Sequence, residues 1–497
     1  GDITTTGTGS FGMAAYTGSS VVNDGSVVTS GQNAWGMLAD GTGSSAVNTG
    51  SVSTTGSRAW GMVAVDGATA ENSGTISTAS GSYIGDGAHG MVASNGSTVT
   101  NTASGVITTT GAGSYGMAAT GSSSATNSGS ITTTGLASHG MLASFGSTVT
   151  NTVSGVEVTS GDNANGMVAM SSSTATNYGD ITTHGLASHG MMAMGGSEAF
   201  NIGADSIVTT GDMAHGMVAT DVSSADNSGS ITTTGSEAYG MLADGTGSYA
   251  ENSGTILTEG SSSHGMAAVN GGTALNAVSG DIHTTSAYSS GMMADGVGSQ
   301  VTNEGSVRTE GANSHGMAAV NGATALNETS GTTLTEGDSA HGMYAEGTGS
   351  QATNRGTIET TGIGAYGMGA ETSADITNAG SIVTSGDFGD GMRAGGDSTA
   401  TNEESGTILT KGLYASGMTA SVNSTATNNG SIETTGSSAP GMEALTYSSV
   451  VNNGSILTTG TGSTGMLAYE GSTAENSVSG DITTTGDWSV GMGASWE

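Results

Sequence analysis

Apolar positions in this chain come in short alternating runs and never at helical spacing. A representative stretch reads Asn127-Ser-Gly-Ser-Ile131-Thr-Thr133-Thr-Gly135-Leu-Ala-Ser-His139-Gly140-Met141-Leu-Ala143-Ser-Phe-Gly-Ser-Thr-Val149-Thr-Asn151. It contains three extended segments bounded by Gly, Ser or Asn. Ile, Val and Thr suit strands, while Gly and Asn suit corners with positive φ. Side chains two apart share a strand face. Ile131 with Thr133, Met141 with Ala143, and Val149 with Asn151 therefore make one face. Gly140 and Leu142 are assigned to the other.

The pattern is periodic. Gly-Met-x-Ala recurs twenty times, from Met13 to Met492, at spacings of 24 to 26 residues except for 29 between Met62 and Met91. The Thr slot holds Thr from Thr5 to Thr484, and the Ile slot departs from Ile or Val only at Glu157 and Thr333. Val156, Val158 and Leu334 beside those exceptions suggest a local shift that restores an apolar interior. The Asn recurs nineteen times, from Asn23 to Asn476, and stacked coils would place these amides in a hydrogen-bonded ladder about 4.8 Å apart. Such self-similarity means that each unit buries its apolar face only against its neighbours. The fold expected is all-β: a single elongated parallel β-helix over residues 1–497, with about 20 coils of three short strands. Parallel crossovers make right-handed winding the expectation. Residues 264–280 nearly repeat at 315–331, which points to growth by two-coil duplication.

Composition changes this picture little, but charge narrows it. Gly, Ser and Thr dominate, yet strict register argues against disorder. Forty-one acidic residues face five basic ones, for a net charge of −36, so nucleic acid and anionic membranes are excluded as electrostatic partners. Cysteine is absent. No apolar run reaches the roughly 18–20 residues of a membrane helix, so no membrane insertion of this segment is expected. Gly1-Asp2-Ile3-Thr4 has the phase of Gly480-Asp481-Ile482-Thr483, and the chain reads as a processed product or a piece of something longer.

Units of the form N-x-G-x-I-x-T-x-G-x-x-A-x-G-M-x-A, present along the whole chain, resemble the degenerate repeats of autotransporter passenger regions and related surface adhesins. The resemblance implies a secreted or surface-displayed rod with adhesive or fibrous duty. Met stands where such repeats more often carry Ile.

Chemistry is sparse. Acidic residues are scattered, basic ones lie far apart, and no nucleophile triad, zinc spacing or phosphate loop emerges, so no enzyme is expected. Tips such as Asp40-Gly-Thr-Gly-Ser44, Asp244-Gly-Thr-Gly-Ser248 and Asp295-Gly-Val-Gly-Ser299 admit calcium as a cofactor. One carboxylate per tip is few for an ion that wants six to eight oxygens, and plain glycine turns are preferred. The insertion at 80–88 reads as a surface loop, with a binding knob as the alternative.

Two columns are candidates for interaction. Two residues before each Met stand Phe11, Trp35, Trp60, His89, Tyr115, His139, Asn165, His189, His215, Tyr239, His264, Ser290, His315, His341 and Tyr366. This column reads as stacked rings closing a corner, with a contact stripe or a metal- or pH-sensing row as alternatives. The residue after each Met is apolar in the first fourteen coils and includes Leu38, Val63, Val92, Leu142, Val168, Val218 and Leu242. An outward apolar row of that length reads as a lateral contact. From about residue 369 both columns turn polar: Gly369, Arg393, Thr419 and Glu443 follow the Met, and Asp390, Ser416, Pro440 and Thr464 precede it.

The leading expectation is an extracellular structural rod or fibre that self-associates, end to end or laterally, into a filament or surface layer. An autotransporter-type adhesin binding a host or abiotic surface is the alternative. Ice binding is a third reading, resting on outward Thr pairs such as Thr108/Thr110 and broken by Arg308, Glu359 and Leu409.

Overall fold

The computed structural model describes residues 1–79, 84–203 and 206–495. They fall into two compact units, Gly1–Ala243 with Gly247–Ala250, and Asp244–Thr246 with Glu251–Glu497. Each unit is a parallel β-solenoid, and the complete turns along the chain number about 19. Apart from a 3₁₀ turn at Ile84–Asp86, the described regular structure is strand. Residues 80–83 of the insertion lie outside the described residues.

In unit 1 a coil runs through Ser130–Thr133, Met141–Ser144 and Thr148–Asn151, each strand four residues long. In unit 2 the equivalent strands include Ser381–Thr384, Met392–Gly395 and Thr399–Asn402. Strands pair in parallel with like positions in register, Met141 on Met167 and Asn127 on Asn151, for example. Three sheets result: an Ile–Thr sheet, a Met–Ala sheet and an Asn sheet.

The interior holds the four residue types that the period singles out. Met141, Ala143, Ile131, Thr133 and Asn127 are all 0% exposed, as are Met392, Ala394, Ile382, Thr384 and Asn402 in unit 2. Most buried hydroxyl and amide groups are satisfied locally, the hydroxyls of Thr5, Ser57, Ser248 and Thr333 being exceptions. Thr133 Oγ1 donates to the Ser138 carbonyl at 2.6 Å, closing a corner. The Asn side chains form the expected ladder, each Nδ2 donating to Oδ1 of the next coil. The rungs measure 2.7–2.9 Å from Asn23 to Asn227 in unit 1 and 2.8–2.9 Å from Asn252 to Asn476 in unit 2. A second ladder has no counterpart in the sequence reading: Ser123, Ser147, Ser173 and Ser197 each accept, through Oγ, the backbone N–H of the preceding coil's Ser.

Three local expectations are corrected. The glycine before each Met does not point away from the interior. A Cβ on Gly116 would collide with Ile131 Cγ2 and the Gly140 carbonyl, so only glycine lets the corner close on the next coil. The Ile slot does not shift at its exceptions. Glu157 pairs with Ile131 and Ile181 in register and is 0% exposed, and Thr333 pairs with Val307 and Ile358 at 2%. Register is held by the neighbouring strands on both sides, which outweigh one misplaced carboxyl. Neither Glu157 oxygen finds a partner, and burial pushes its pKa well above the ordinary carboxylate value. The row after the Met, finally, is not an exposed stripe, for a reason that lies in the column beside it.

Candidate functional site

The residues two before each Met stand at the corner where the chain enters the Met–Ala sheet; the rings from Phe11 to Tyr366 are half-buried there, and Asn165, Ser290, Asp390, Ser416, Pro440 and Thr464 are buried. In unit 1 their rings stack from Phe11 through Trp35, Trp60, His89 and Tyr115 to His139, with centroids 4.7–5.4 Å apart. Asn165 interrupts the series, which resumes as His189, His215 and Tyr239 at 4.9 and 4.7 Å. In unit 2, His264 and Ser290 precede a stack of His315, His341 and Tyr366 at 4.8 and 4.5 Å, with Tyr344 packed against His315 at 4.7 Å.

These rings lie over the residues after the Met. A Cβ on Gly369 would meet the rings of Tyr344, His341 and Tyr366. Leu38, Val63, Val92, Val168 and Val218 are 0–5% exposed, and Leu142 and Leu242 are half-buried. Strand alternation sends these side chains outward, and the stacked column then covers them. Leu38, Val63, Val92, Val168 and Val218 of this row are thus buried as a second, outer layer, and Leu142 and Leu242 are buried only in part.

The histidines do more than stack. His89 Nδ1 accepts the backbone N–H of Tyr115 at 3.0 Å, and His139, His189 and His215 do the same for Asn165, His215 and Tyr239 at 2.9–3.1 Å. In unit 2, His264, His315 and His341 accept from Ser290, His341 and Tyr366 at 3.0–3.1 Å. Asn165 Oδ1 and Asp390 Oδ1 occupy the same role toward His189 and Ser416. An acceptor on Nδ1 places the ring proton on Nε2 and requires a neutral imidazole. Desolvation agrees, holding His89, His139, His189, His264 and His315 down at about 4. Stacked neighbours such as His189 and His215 therefore offer only Nε2 to a metal. No group of three or more His, Cys, Asp or Glu among the described residues could hold one. At the tips, Asp244 and Asp295 each accept an amide from the next coil, Asn270 and Asn321, at 2.7 Å.

Beyond Tyr366 the same corner changes character. The guanidinium of Arg393 lies 5.3 Å over the Tyr366 ring and 3.7 Å from Asp390 Oδ2. Asp390, 5% exposed, also accepts the Thr419 hydroxyl at 2.9 Å. Burial lifts its pKa to about 7 against the pull of Arg393. Ser416 Oγ donates to Glu443 Oε2 at 3.4 Å, and burial raises the Glu443 pKa as well. The acidic residues are thus not merely scattered, since the solenoid draws Asp390 and Glu443 to either side of Ser416. With no aromatic ring in the column at Ser416, Pro440 and Thr464, a trough of about 360 Å³ opens, lined by Glu443, Leu467, Tyr414 and Tyr469 among others. Sequence reasoning noted the switch in polarity without assigning it a site. The available signal was the joint replacement of rings by small residues and of apolar neighbours by Arg, Thr and Glu.

The family model of the BigA third pectate lyase-like domain matches residues 1–105, 79–140, 136–280, 276–331 and 328–452. No curated protein sequence matches. Among solved structures, a chain in the cryo-EM structure of the Vag8–C1 inhibitor complex is similar over 100% of both chains, with a TM-score of 0.52 at 16% identity. That likeness is one of fold. Together these findings bear out the resemblance to passenger-type β-helix repeats.

Proposed function

We propose that this chain, which belongs to the family of the BigA third pectate lyase-like domain, is an extracellular, surface-displayed solenoid that adheres to a partner through its outer face and catalyses no reaction. The observation that carries this reading is the contrast between interior and exterior. Coil after coil repeats the same inside, while the outer face of the Met–Ala sheet passes from a closed ring column to an open polar trough. The cluster at the trough suits binding better than turnover, because both Asp390 oxygens are engaged, by Ser416 and by Thr419 and Arg393. A similar fold occurs in a complex with another protein, that of Vag8 with C1 inhibitor, which supports a partner-binding role.

Self-association into a filament or layer is the competing reading. Its strongest sequence argument, an exposed apolar row, loses force because Leu38, Val63, Val92, Val168 and Val218 are 0–5% exposed. The test compares adhesion of protein-coated beads to cultured cells and to plain polystyrene after removal of two whole coils. Deleting 386–435 should abolish adhesion, and deleting 135–184 should preserve it. Equal retention or equal loss in the two deletions would refute a localised binding face. Sedimentation of the intact chain as large assemblies would favour the filament.

A further inference from the structure

We propose, building on the reading of the chain as a binding solenoid, that the trough between Tyr414 and Tyr469 holds an uncharged pyranose residue of a glycan. The trough volume of about 360 Å³ lies within the roughly 300–1,000 Å³ of small-ligand sites. Tyr414 is 55% exposed, and its ring is fixed by stacking on Phe388 at 5.3 Å and 10°. The next two residues of its column, Ser438 and Gly462, are too small to cover the other ring face, which lines the trough. A flat, preoriented ring with one bare face suits the C–H face of a sugar. Hydroxyls attach to the polar side. The half-buried Glu443 makes one long bond, at 3.4 Å from Ser416 to Oε2, and its Oε1 has no partner among the described residues. A carboxylate can accept two vicinal hydroxyls at once. Ser416 and Thr464 add hydroxyls on the same wall.

Charge selects among sugars. Glu443 stands in a molecule of net charge −36, with Arg393 already committed to Asp390. Uronic and sialic acids would be repelled by the Glu443 carboxylate, and a neutral sugar would not. A lysine side chain could pair with Glu443 but would leave the bare face of Tyr414 unused.

Saturation-transfer NMR on the intact chain tests this, with the methyl glycosides of glucose, galactose, mannose and N-acetylglucosamine as probes, beside glucuronic acid and Nα-acetyl-lysine amide. At least one neutral glycoside should bind, and should bind at least about tenfold more weakly, a loss of about 1.4 kcal/mol, to Tyr414→Asn and to Glu443→Gln. Asn tolerates the positive φ of 55° at position 414, so the turn survives the change. Tyr447→Asn, at a tyrosine 72% exposed that does not line the trough, should bind as the parent does. Binding of no neutral glycoside, unchanged binding in both trough variants, or preference for the acid or the lysine amide would overturn the proposal. Adhesion that persists without sugar binding would leave the solenoid's binding role standing and remove only the saccharide. Loss of adhesion by the unmodified chain would remove the premise itself.

Discussion

Within unit 2, the stretch from His315 to Tyr366 and the stretch from Asp390 to Thr464 rest on the same interior and differ outside it. Met343 and Met442 are both 0% exposed, and both stretches carry the Asn ladder unbroken. Outside, the first stretch stacks rings over an apolar row, and the second places carboxylates, hydroxyls and one guanidinium around a hollow. The fold therefore does not depend on the ring column. Coils tolerate an aromatic, an acceptor or a small residue at that corner, which makes the position available for function.

The largest effects should show how far the shared interior is shared. Met141→Ala and Met442→Ala should each cost about 2–5 kcal/mol by the usual penalty for a buried methionine, measured by urea denaturation with probes in each unit. Markedly unequal losses would mean that the two kinds of coil differ inside as well. Glu157→Ile should stabilise the solenoid, because it replaces a buried, unpaired carboxyl with the residue its neighbours carry.

Next in size is the acceptor at the corner. His139→Phe keeps a ring in the stack but leaves the Asn165 N–H without its 3.1 Å partner, for a loss of about 1–3 kcal/mol. Asp390→Asn keeps the oxygen that accepts from Ser416 and should cost less, by the same measurement. Equal losses would show that ring packing and not the acceptor holds the corner.

The two stretches should also respond to pH with opposite sign. The folded histidine pKa, about 4 at His139 and His315, lies below the ordinary value of about 6.5. Their contribution is full above 6.5 and fades as the pH falls toward 4. Asp390, at about 7, contributes fully below the ordinary Asp value of about 3.9 and loses that contribution as the pH rises through 7. Hydrogen exchange at the amides of His341 and Ser416 reads the two locally. Acidification from 6.5 should speed exchange at His341, and raising the pH from 4 to 7 should lower protection at Ser416, both after correction for intrinsic rates. The same slope at both would dissolve the contrast.

Much of the fold was legible in the sequence because its determinants repeat in one dimension. Met, Ala, Thr and Asn each keep a fixed phase, and a fixed phase converts directly into a file of side chains. The outer face was less legible. His89 and His139 read as rings, and only the structure shows Nδ1 standing in for a carbonyl. Asn165 and Asp390 in the same column were the clue, since all three residue types carry an acceptor at nearly the same reach. The burial of Leu38 and Val63 was misread because alternation tells which way a side chain points and not what lies over it. The trough escaped for a related reason: a hollow is made by side chains that are absent, here the rings missing at Ser416, Pro440 and Thr464.

The rungs between successive Asn residues are nearly uniform in length, and so are the strands that accompany them. Tension applied through the chain would load the outermost coil alone, because its neighbours stay supported on both sides. The solenoid should then peel rather than snap, surrendering one coil at a time at nearly constant force. A force–extension trace would record this as near-even steps of 24 to 26 residues with one of 29, each releasing roughly 3.3–3.6 Å of chain per residue. A molecule built this way can lengthen under shear and keep the remainder of its surface folded and available.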